Sequence, residues 1–373
     1  MTDPVDLLDD RPALEALDPG GMLPAVASGA AQVREAAVLS AEAGLGRLAG
    51  EDRPRSVVIC GMGGSGIAGD IFAAVAGSRC PVPVLTWRSH GLPLWVGAAD
   101  LVLVVTSSGA TEETLSALDE AVRRGCRLVV VAAAGSTAED LASRGRALFV
   151  PVPQGRQPRA SVWSLATPLM VAGDALGLLT ADHETLELTA VLLEELAGRC
   201  RPDADIVVNP GKSLALSLVG RLPVVWGSSA LSGVAAHRFA CQLNENAKSP
   251  AVHGVLPEAA HNQIVALDGP FAGSETDLFA DPEDGLGARM HLVLLRDSEE
   301  HRQVALRAVV ARDLARTRGV QVSELQAEGG SAYERLASLI AVGDWASTYL
   351  ALAQGIDPTP VEAITDLKAQ VGR

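Results

Sequence analysis

The residues best suited to bind a ligand stand in a short hydroxyl-rich segment of the first half of the chain. Leu101–Val105 is an unbroken apolar run, which is typical of a strand buried on both faces. An amphipathic pattern from Glu112 to about Arg124 predicts a helix. Between the two, four hydroxyl side chains surround Gly109: Thr106, Ser107, Ser108 and Thr111. A helix start offers unpaired N–H groups and partial positive charge. This strand–turn–helix segment therefore predicts a site for an anion such as phosphate.

The same segment has a simpler interpretation. Ser108 or Thr111 can serve only to cap the helix that follows. Four hydroxyls around one glycine are more than a cap requires. On local sequence alone, both an anion site and a capped turn therefore stay open.

A second glycine-rich turn lies earlier in the chain. Gly61, Gly63 and Gly66 have the spacing G-x-G-x-x-G, between the strand Ser56–Cys60 and a helix predicted from about Ile67. This spacing is typical of dinucleotide-binding turns. A structural tight turn, or a turn whose glycines let the backbone approach a small ligand, explains it equally well.

The dinucleotide interpretation needs an acidic residue at the end of the next strand to bind the ribose. The next predicted strand, Pro83–Trp87, is followed by Arg88 and Ser89 and supplies none. Arg88 would have to bind a 2′-phosphate instead. The small-ligand interpretation, in which Ser65 donates a hydrogen bond, requires no such additional assumption.

Composition and charge exclude several classes of protein. The chain has 373 residues, is 48% hydrophobic with only 3% aromatic residues, and carries a formal net charge of −15. Small aliphatic residues suit layered α/β packing, and the negative charge argues against a nucleic-acid surface. No stretch of 18 uninterrupted apolar residues predicts a membrane span, and the acidic N-terminus does not resemble a signal peptide. Five scattered cysteines without a CxxC pair predict reduced thiols in the cytoplasm and no metal site.

Short apolar strands alternate with helices along the chain, which predicts an α/β protein with doubly wound parallel sheets. Strands are predicted at residues 56–60, 83–87, 101–106, 127–133, 148–152, 222–226, 289–295 and 319–324. Helices are predicted at 30–48, from 67, and at 112–124, 137–143, 184–200, 233–247, 299–316, 331–352 and 358–368, with 202–210 a connector. Both halves contain strand, Gly/Ser turn and helix, which hints at an internal duplication.

A polar motif in the second half carries residues suited to proton transfer. Glu245 stands between two asparagines in Asn244-Glu245-Asn246, and His261 follows sixteen residues later. A polar helix end and a surface histidine explain these residues without any function. Near a phosphate-binding loop, however, a glutamate and a histidine supply groups that sugar chemistry requires. Arg159 follows the fifth predicted strand and is either an exposed turn residue or a further candidate.

Taken together, these motifs resemble the bifunctional phosphoglucose/phosphomannose isomerase family of sugar isomerase (SIS) proteins. The resemblance extends over roughly residues 55–370. It rests on six segments in the order of the family: residues 61–66, 106–114, 158–159, 244–248, 261–264 and 357–368.

The resemblance implies two SIS subdomains, each a parallel sheet flanked by helices, together with N- and C-terminal helices. The implied boundaries are an N-terminal helical segment 1–50, a first SIS domain 51–180, a connecting helix and linker 181–210, a second SIS domain 211–330 and C-terminal helices 331–373. It also implies a cytoplasmic homodimer that acts on a phosphorylated hexose without a cofactor or metal, and that binds neither nucleic acid nor membrane.

The family's functional residues carry over by motif. The residues implied to bind phosphate or substrate are Gly64, Ser65, Thr106, Ser108, Thr111 and Thr359. Glu245 is the implied base between C2 and C1, and Arg159 the cation that stabilises the enediolate. His261, from the neighbouring subunit, and Lys368 are implied to assist ring opening.

Two features depart from the family pattern. The hydroxyl loop, which usually reads Ser-Tyr-Ser-Gly-Asn-Thr, here has Ser107 and Ala110 in place of the Tyr and Asn. Extra length lies at residues 1–45 and around Phe271–Arg289. The sequence predicts an isomerase of glucose or mannose 6-phosphate and fructose 6-phosphate; the alternatives are a non-catalytic sugar-phosphate-binding protein and, third, an NAD(P)-dependent oxidoreductase.

Overall fold

A computed structural model describes residues 3–272 and 289–371. The chain divides into two compact units. The five-stranded unit comprises Ser28–Glu195 and Glu328–Ser338. The four-stranded unit comprises the described residues of Met1–Ala27, Leu196–Ala327 and Leu339–Arg373. The contiguous domain boundaries expected from the sequence stay a prediction.

Strands and helices alternate through most of the described chain. The strands are β1 Val57–Cys60, β2 Val84–Trp87, β3 Leu101–Thr106, β4 Arg127–Ala133, β5 Leu148–Val152, β6 Arg221–Gly227, β7 Val252–Val255, β8 Arg289–Arg296 and β9 Gln321–Gln326. The helices are α1 Pro4–Asp9, α2 Arg11–Leu17, α3 Met22–Ala27, α4 Gly29–Glu42, α5 Gly63–Ala76, α6 Glu112–Arg123, α7 Thr137–Arg144, α8 Val162–Ala175, α9 His183–Arg199, α10 Pro210–Leu218, α11 Ala230–Asn246, α12 Arg302–Thr317, α13 Ala332–Ala353 and α14 Glu362–Val371.

The five-stranded sheet is parallel throughout, with the strand order β2-β1-β3-β4-β5. Every residue of β3 is buried, as its unbroken apolar run predicts. Helices α6 and α7 pack on one face through residues such as Leu118 and Leu141, while α5 and α8 contact strands of the same sheet. Because the order reverses between β1 and β3, a ligand-binding crevice is expected at the carboxyl ends of these two strands.

The four-stranded sheet is also parallel and has the order β7-β6-β8-β9. Its four positions repeat the order of the first four strands of the other sheet, which agrees with the duplication that the sequence hints at. Helix α12 packs on it through the small residues Ala308, Ala311 and Ala315, and α10 and α11 contact β6. The predicted α/β fold with two parallel sheets is confirmed.

Several predicted boundaries are wrong in ways that have a physical cause. The helix expected from Ile67 begins at Gly63, inside the glycine turn, so the turn is shorter and the helix longer than expected. The helix expected from Pro358 begins at Glu362. Pro358 and Pro360 lie instead in a loop whose carbonyl groups have another partner, described below.

Helix α8, helix α10 and strand β7 were not predicted. Helix α10 follows directly on the expected connector, and its start has a recognisable signal: the side chain of Asn209 accepts from the Lys212 amide at 3.0 Å, with Pro210 in the first turn. Strand β7 has only four residues at the edge of its sheet and leaves Val252 and Val255 exposed. Such a short edge strand has too weak a periodicity to be detected.

One helix, α13, is long and apolar enough to cross a membrane by length and composition. The most apolar window of Ala332–Ala353 is wholly buried within the described structure. This burial is typical of a core helix.

Candidate active site

The carboxyl edge of the five-stranded sheet brings two helix starts to the crevice between β1 and β3. Helix α5 follows β1 after two residues, and α6 follows β3 after the hydroxyl loop. The N-cap residues, Met62 and Thr111, make no capping hydrogen bond with their side chains. The simpler interpretation of Thr111, that it only caps its helix, is therefore wrong. Both helix starts can direct backbone N–H groups and partial positive charge at an anion.

In the loop after β3, the buried hydroxyl of Thr106 braces the loop, whereas the hydroxyl of Ser108 is exposed. The Thr106 side chain is buried; its Oγ1 accepts from the Gly109 amide at 3.2 Å and lies 3.3 Å from the Thr111 Oγ1. Ser108 is exposed, and its Oγ accepts from the Ala110 amide at 3.3 Å. Thr106 thus holds the loop in shape, while Ser108 presents a hydroxyl at the surface.

Gly109 is required at its position for two reasons. Its φ is +66°, a region that L side chains rarely adopt, and an added Cβ would lie 2.1 Å from the Ser136 Oγ. Its carbonyl also accepts from the Ala138 amide at 3.2 Å, at the start of α7. The loop is therefore fixed against the next strand–helix connection of the same sheet.

The glycines after β1 have separate roles. A Cβ at Gly61 would lie 3.0 Å from the Val105 carbonyl oxygen, and one at Gly66 would lie 2.8 Å from the Gly61 carbonyl oxygen. These two residues allow α5 to start tightly against β1 and β3. A Cβ at Gly64 would meet open space, and Ser65 beside it is buried.

The dinucleotide interpretation of this turn loses its remaining support. Arg88, the residue that would have to bind a 2′-phosphate, pairs with Asp70 of α5 at 2.5 Å between Nη2 and Oδ2. An added Cβ at Gly66 would also come within 2.8 Å of the Arg88 Nε. The guanidinium is therefore packed against α5 and satisfied by a carboxylate of that helix.

Arg159 lies in a 3₁₀ turn, Pro158–Ala160, that follows β5, and it is half-buried. Gln32 of α4 holds this turn: its Nε2 donates to the Ala160 carbonyl at 2.7 Å, and Gln32 itself is buried. The Ser161 hydroxyl donates to the Gln157 carbonyl at 2.8 Å. The backbone that carries Arg159 is thus anchored from within the five-stranded unit. Sequence reasoning missed Gln32, because the two residues it joins are 128 positions apart.

Glu245 lies in the last turn of α11, in the four-stranded unit, and is half-buried. The asparagines on either side of it have structural partners. The Asn246 Nδ2 donates to the Ser347 Oγ of α13 at 3.0 Å, and the Asn244 Oδ1 accepts from the Ala251 amide at 3.2 Å. These contacts fix the backbone on both sides of Glu245.

An ion pair within the core of the four-stranded unit holds α11 to α13. The Arg238 Nε and Nη2 donate to the two carboxylate oxygens of Asp344 at 3.0 and 2.7 Å. Gln242, one turn further along α11, donates to the same carboxylate at 3.2 Å. The C-terminal half of the helix that carries Glu245 is therefore attached to α13 at Arg238, Gln242 and Asn246.

The other predicted residues of the four-stranded unit lie on three further segments. Thr359 is half-buried in the loop before α14, and an added Cβ at Gly20 would lie 2.2 Å from its Oγ1. His261 ends a short 3₁₀ segment, Glu258–His261, and is exposed. Lys368 is exposed on α14, a helix without buried residues in its described part.

The Gly/Ser turn of the second sheet is closed by a side chain of the protein itself. Ser229 caps α11 in a reciprocal arrangement with Ser232, and its hydroxyl donates to the Asp297 Oδ2 at 2.9 Å. The Asp297 amide donates to the Ser228 Oγ at 3.1 Å. A carboxylate thus occupies this turn, whereas the corresponding turn of the first sheet has no capping side chain. Of the two turns, the first is the better phosphate site.

Residues 3–272 and 289–371 contain no group of three or more His, Cys, Asp or Glu side chains that could hold a metal ion. The candidate residues of the five-stranded unit are hydroxyls, backbone amides and Arg159, and those of the four-stranded unit include Glu245, His261 and Lys368. This set suits proton transfer on an anionic substrate.

Known proteins resemble this chain in sequence and in fold. Residues 207–371 match the family described as bacterial phospho-glucose isomerase C-terminal SIS domain. A bifunctional phosphoglucose/phosphomannose isomerase from Caldicellulosiruptor bescii is 35% identical over 84% of this chain and 88% of its own length. The protein of the same name from Aquifex aeolicus is 31% identical over 85% of this chain and 90% of its own.

This chain belongs to the bifunctional phosphoglucose/phosphomannose isomerase family. A solved structure shares its fold: a glucose-6-phosphate isomerase like protein from Thermus thermophilus, at 20% identity, a TM-score of 0.57 and 99% coverage of both chains. The two parallel sheets are its two SIS subdomains.

The departures from the family pattern leave the frame of the hydroxyl loop in place. Ser107 is half-buried and Ala110 is exposed, so neither is part of the buried brace formed by Thr106. The other departure, extra length around Phe271–Arg289, falls largely on residues 273–288, which lie outside the described residues.

Proposed function

We propose that this protein is an aldose–ketose isomerase that interconverts glucose 6-phosphate, mannose 6-phosphate or both with fructose 6-phosphate through a cis-enediolate. The observation that carries the proposal is its 35% identity, over 84% of the chain, to a relative named for both activities. The organisation of the two units supports it, since one presents uncapped helix starts for an anion and the other a half-buried glutamate on a fixed helix.

In this proposal the five-stranded unit binds the phosphate. The backbone amide at Gly64, with the hydroxyls of Ser65, Ser108 and Thr111, donates to phosphate oxygens. Thr106 contributes by holding the loop that carries Ser108. The exposed position of Gly64, where an added Cβ would meet open space, supports a close approach of the ligand.

The same proposal assigns the chemistry to side chains alone. Glu245 removes the proton from C2 of the open-chain aldose, and Arg159 stabilises the negative oxygen of the enediolate. The hydroxyl proton on O2 passes to O1 within the enediolate, and the protonated Glu245 returns its proton to C1, which leaves the ketose carbonyl at C2 and a hydroxyl at C1. His261 and Lys368 assist ring opening, and Thr359 makes room for the second C2 epimer.

We further propose a cytoplasmic homodimer in which each subunit supplies His261 to its neighbour. The exposure of His261 in the single chain supports this arrangement.

The test is a coupled assay of the pure protein with fructose 6-phosphate that follows glucose 6-phosphate and mannose 6-phosphate separately. A positioned general base contributes about 10²–10⁴-fold, so Glu245→Gln is expected to lower kcat by about that factor and to leave the affinity for a phosphorylated sugar acid unchanged. The exposed Glu42→Gln is the matched control.

Near-normal turnover in Glu245→Gln would contradict the assignment of the base. Thermal stabilisation of the wild-type protein by the three sugar phosphates without any turnover would favour the sugar-phosphate-binding alternative.

A further inference from the structure

Lys248, two residues after the Asn-Glu-Asn motif, has an unusual environment. Lys248 has a φ of +53°, in the left-handed region that non-glycine residues seldom occupy. Its Nζ lies close to five backbone carbonyl oxygens, all within the four-stranded unit: Glu245 at 2.8 Å, Asn246 at 3.3 Å, Asp357 at 3.5 Å, Pro358 at 3.4 Å and Pro360 at 2.8 Å.

The five carbonyls belong to two segments far apart in the sequence. Two of them are carbonyls from the carboxyl end of α11, which have no partner within the helix and carry partial negative charge. Three belong to the loop before α14. An ammonium group has three N–H donors and a compact positive charge, so it can satisfy both groups at once. Lys248 therefore ties the end of the helix that carries Glu245 to the loop that carries Thr359.

The loop before α14 has two further contacts. The Asp357 Oδ1 accepts from the Thr359 amide at 2.8 Å, and Gly20 packs directly on the Thr359 side chain. Lys248 joins this loop directly to the end of α11, so the position of Thr359 relative to Glu245 depends in part on the lysine.

We propose that Lys248 is a positioning residue that links Glu245 to the loop before α14, which carries Thr359. Through this link Lys248 sets the ratio of the two aldose products, glucose 6-phosphate and mannose 6-phosphate. This inference rests on the proposed roles of Glu245 and Thr359. It assigns Lys248 no contact with the substrate.

The test removes the ammonium and then returns it. A displacement on the order of 1 Å at a reacting group can lower the rate about 10²-fold, so Lys248→Ala is expected to lower kcat about 10- to 100-fold. The ratio of kcat/KM for mannose 6-phosphate to that for glucose 6-phosphate is expected to shift at least about threefold, because Thr359 loses its fixed position. KM is expected to change little, since the proposed phosphate ligands belong to the other unit.

Added n-propylammonium, which carries N–H donors and fits the space left by the side chain, is expected to restore both the rate and the ratio. Tetramethylammonium at the same concentration has the charge but no donor and is expected to restore neither. Lys248→Arg keeps the charge in a planar group and is expected to recover part of the rate. Arg316→Ala removes an exposed cation from the last turn of α12 and is the matched control.

Hydrogen exchange separates this inference from the proposed function. In Lys248→Ala the amides of Asp357, Thr359 and Val361 are expected to exchange faster and to slow again with n-propylammonium, whether or not the protein turns over. Unchanged exchange in this loop would overturn the link. A fall in kcat with an unchanged product ratio and no rescue would overturn the role in specificity. Absence of turnover in the wild type would overturn the proposed function and with it the role in the product ratio, whereas the exchange measurement would still decide the link between α11 and the loop.

Discussion

The buried ion pair between α11 and α13 allows the most direct test of how the helix that carries Glu245 is held. Arg238 and Asp344 are 3% and 4% exposed, and hydrogen bonds from the Arg238 Nε and Nη2 join their charged groups. Asp344→Ala removes the carboxylate and leaves the guanidinium buried without its charge partner. The amide of Gln242 loses an acceptor in the same variant.

The expected loss in the free energy of unfolding follows from that burial. Removing one partner of a buried pair costs about 3–5 kcal/mol, because the remaining charge is uncompensated. Replacing both partners by apolar residues of similar volume avoids this cost. The double variant Arg238→Met with Asp344→Leu is therefore expected to be more stable than Asp344→Ala by about 2 kcal/mol or more.

Urea denaturation followed by circular dichroism and by fluorescence measures these differences. The matched control is Glu187→Ala, which breaks a pair with Arg34 in which both side chains are more than a third exposed. Such a surface pair contributes at most about 1 kcal/mol. A loss below about 1 kcal/mol in Asp344→Ala, or a double variant as unstable as the sum of the two single variants, would refute the argument.

Two further predictions concern a buried histidine and the hydroxyl loop. Burial, with a smaller effect from Arg221, lowers the pKa of His291 from 6.5 to about 4. The unfolded chain therefore binds a proton between these values that the folded protein does not. The free energy of unfolding is expected to fall by about 1.5 kcal/mol from pH 6.5 to pH 5 because of this histidine. Urea denaturation at several pH values is expected to show that His291→Phe removes this part of the pH dependence. An unchanged pH dependence in His291→Phe would contradict the prediction. Gly109→Ala is expected to raise KM for the sugar phosphate about tenfold or more, because its Cβ would meet the Ser136 Oγ at 2.1 Å and distort the loop. Gly177→Ala, with a similar φ of +65° and open space around the added Cβ, controls for backbone strain and should leave KM unchanged.

Local signals in the sequence were sufficient for β3 and α6, the two elements that flank the hydroxyl loop. The run Leu101–Val105 is apolar at every position, and such a strand has to be buried on both faces wherever it pairs. The acidic residues from Glu112 onward mark the start of α6, which the structure places at the same residue. The family motifs likewise supplied the candidate site residues, because they are short segments whose residue types are informative on their own, and the roles of these residues stay a prediction.

Tertiary structure decided what depends on partners distant in the sequence. Helix α5 begins at Gly63, although glycine is a poor helix former, in a turn whose glycines allow close packing against β3. The loop before α14 is not helical at Pro358, where Lys248 binds its carbonyls from 110 positions away. The Ser229 hydroxyl is engaged by Asp297, 68 positions on. Periodicity along a chain determines which face of an element is apolar, but only the packed fold determines which charges and carbonyls must satisfy one another once water is excluded.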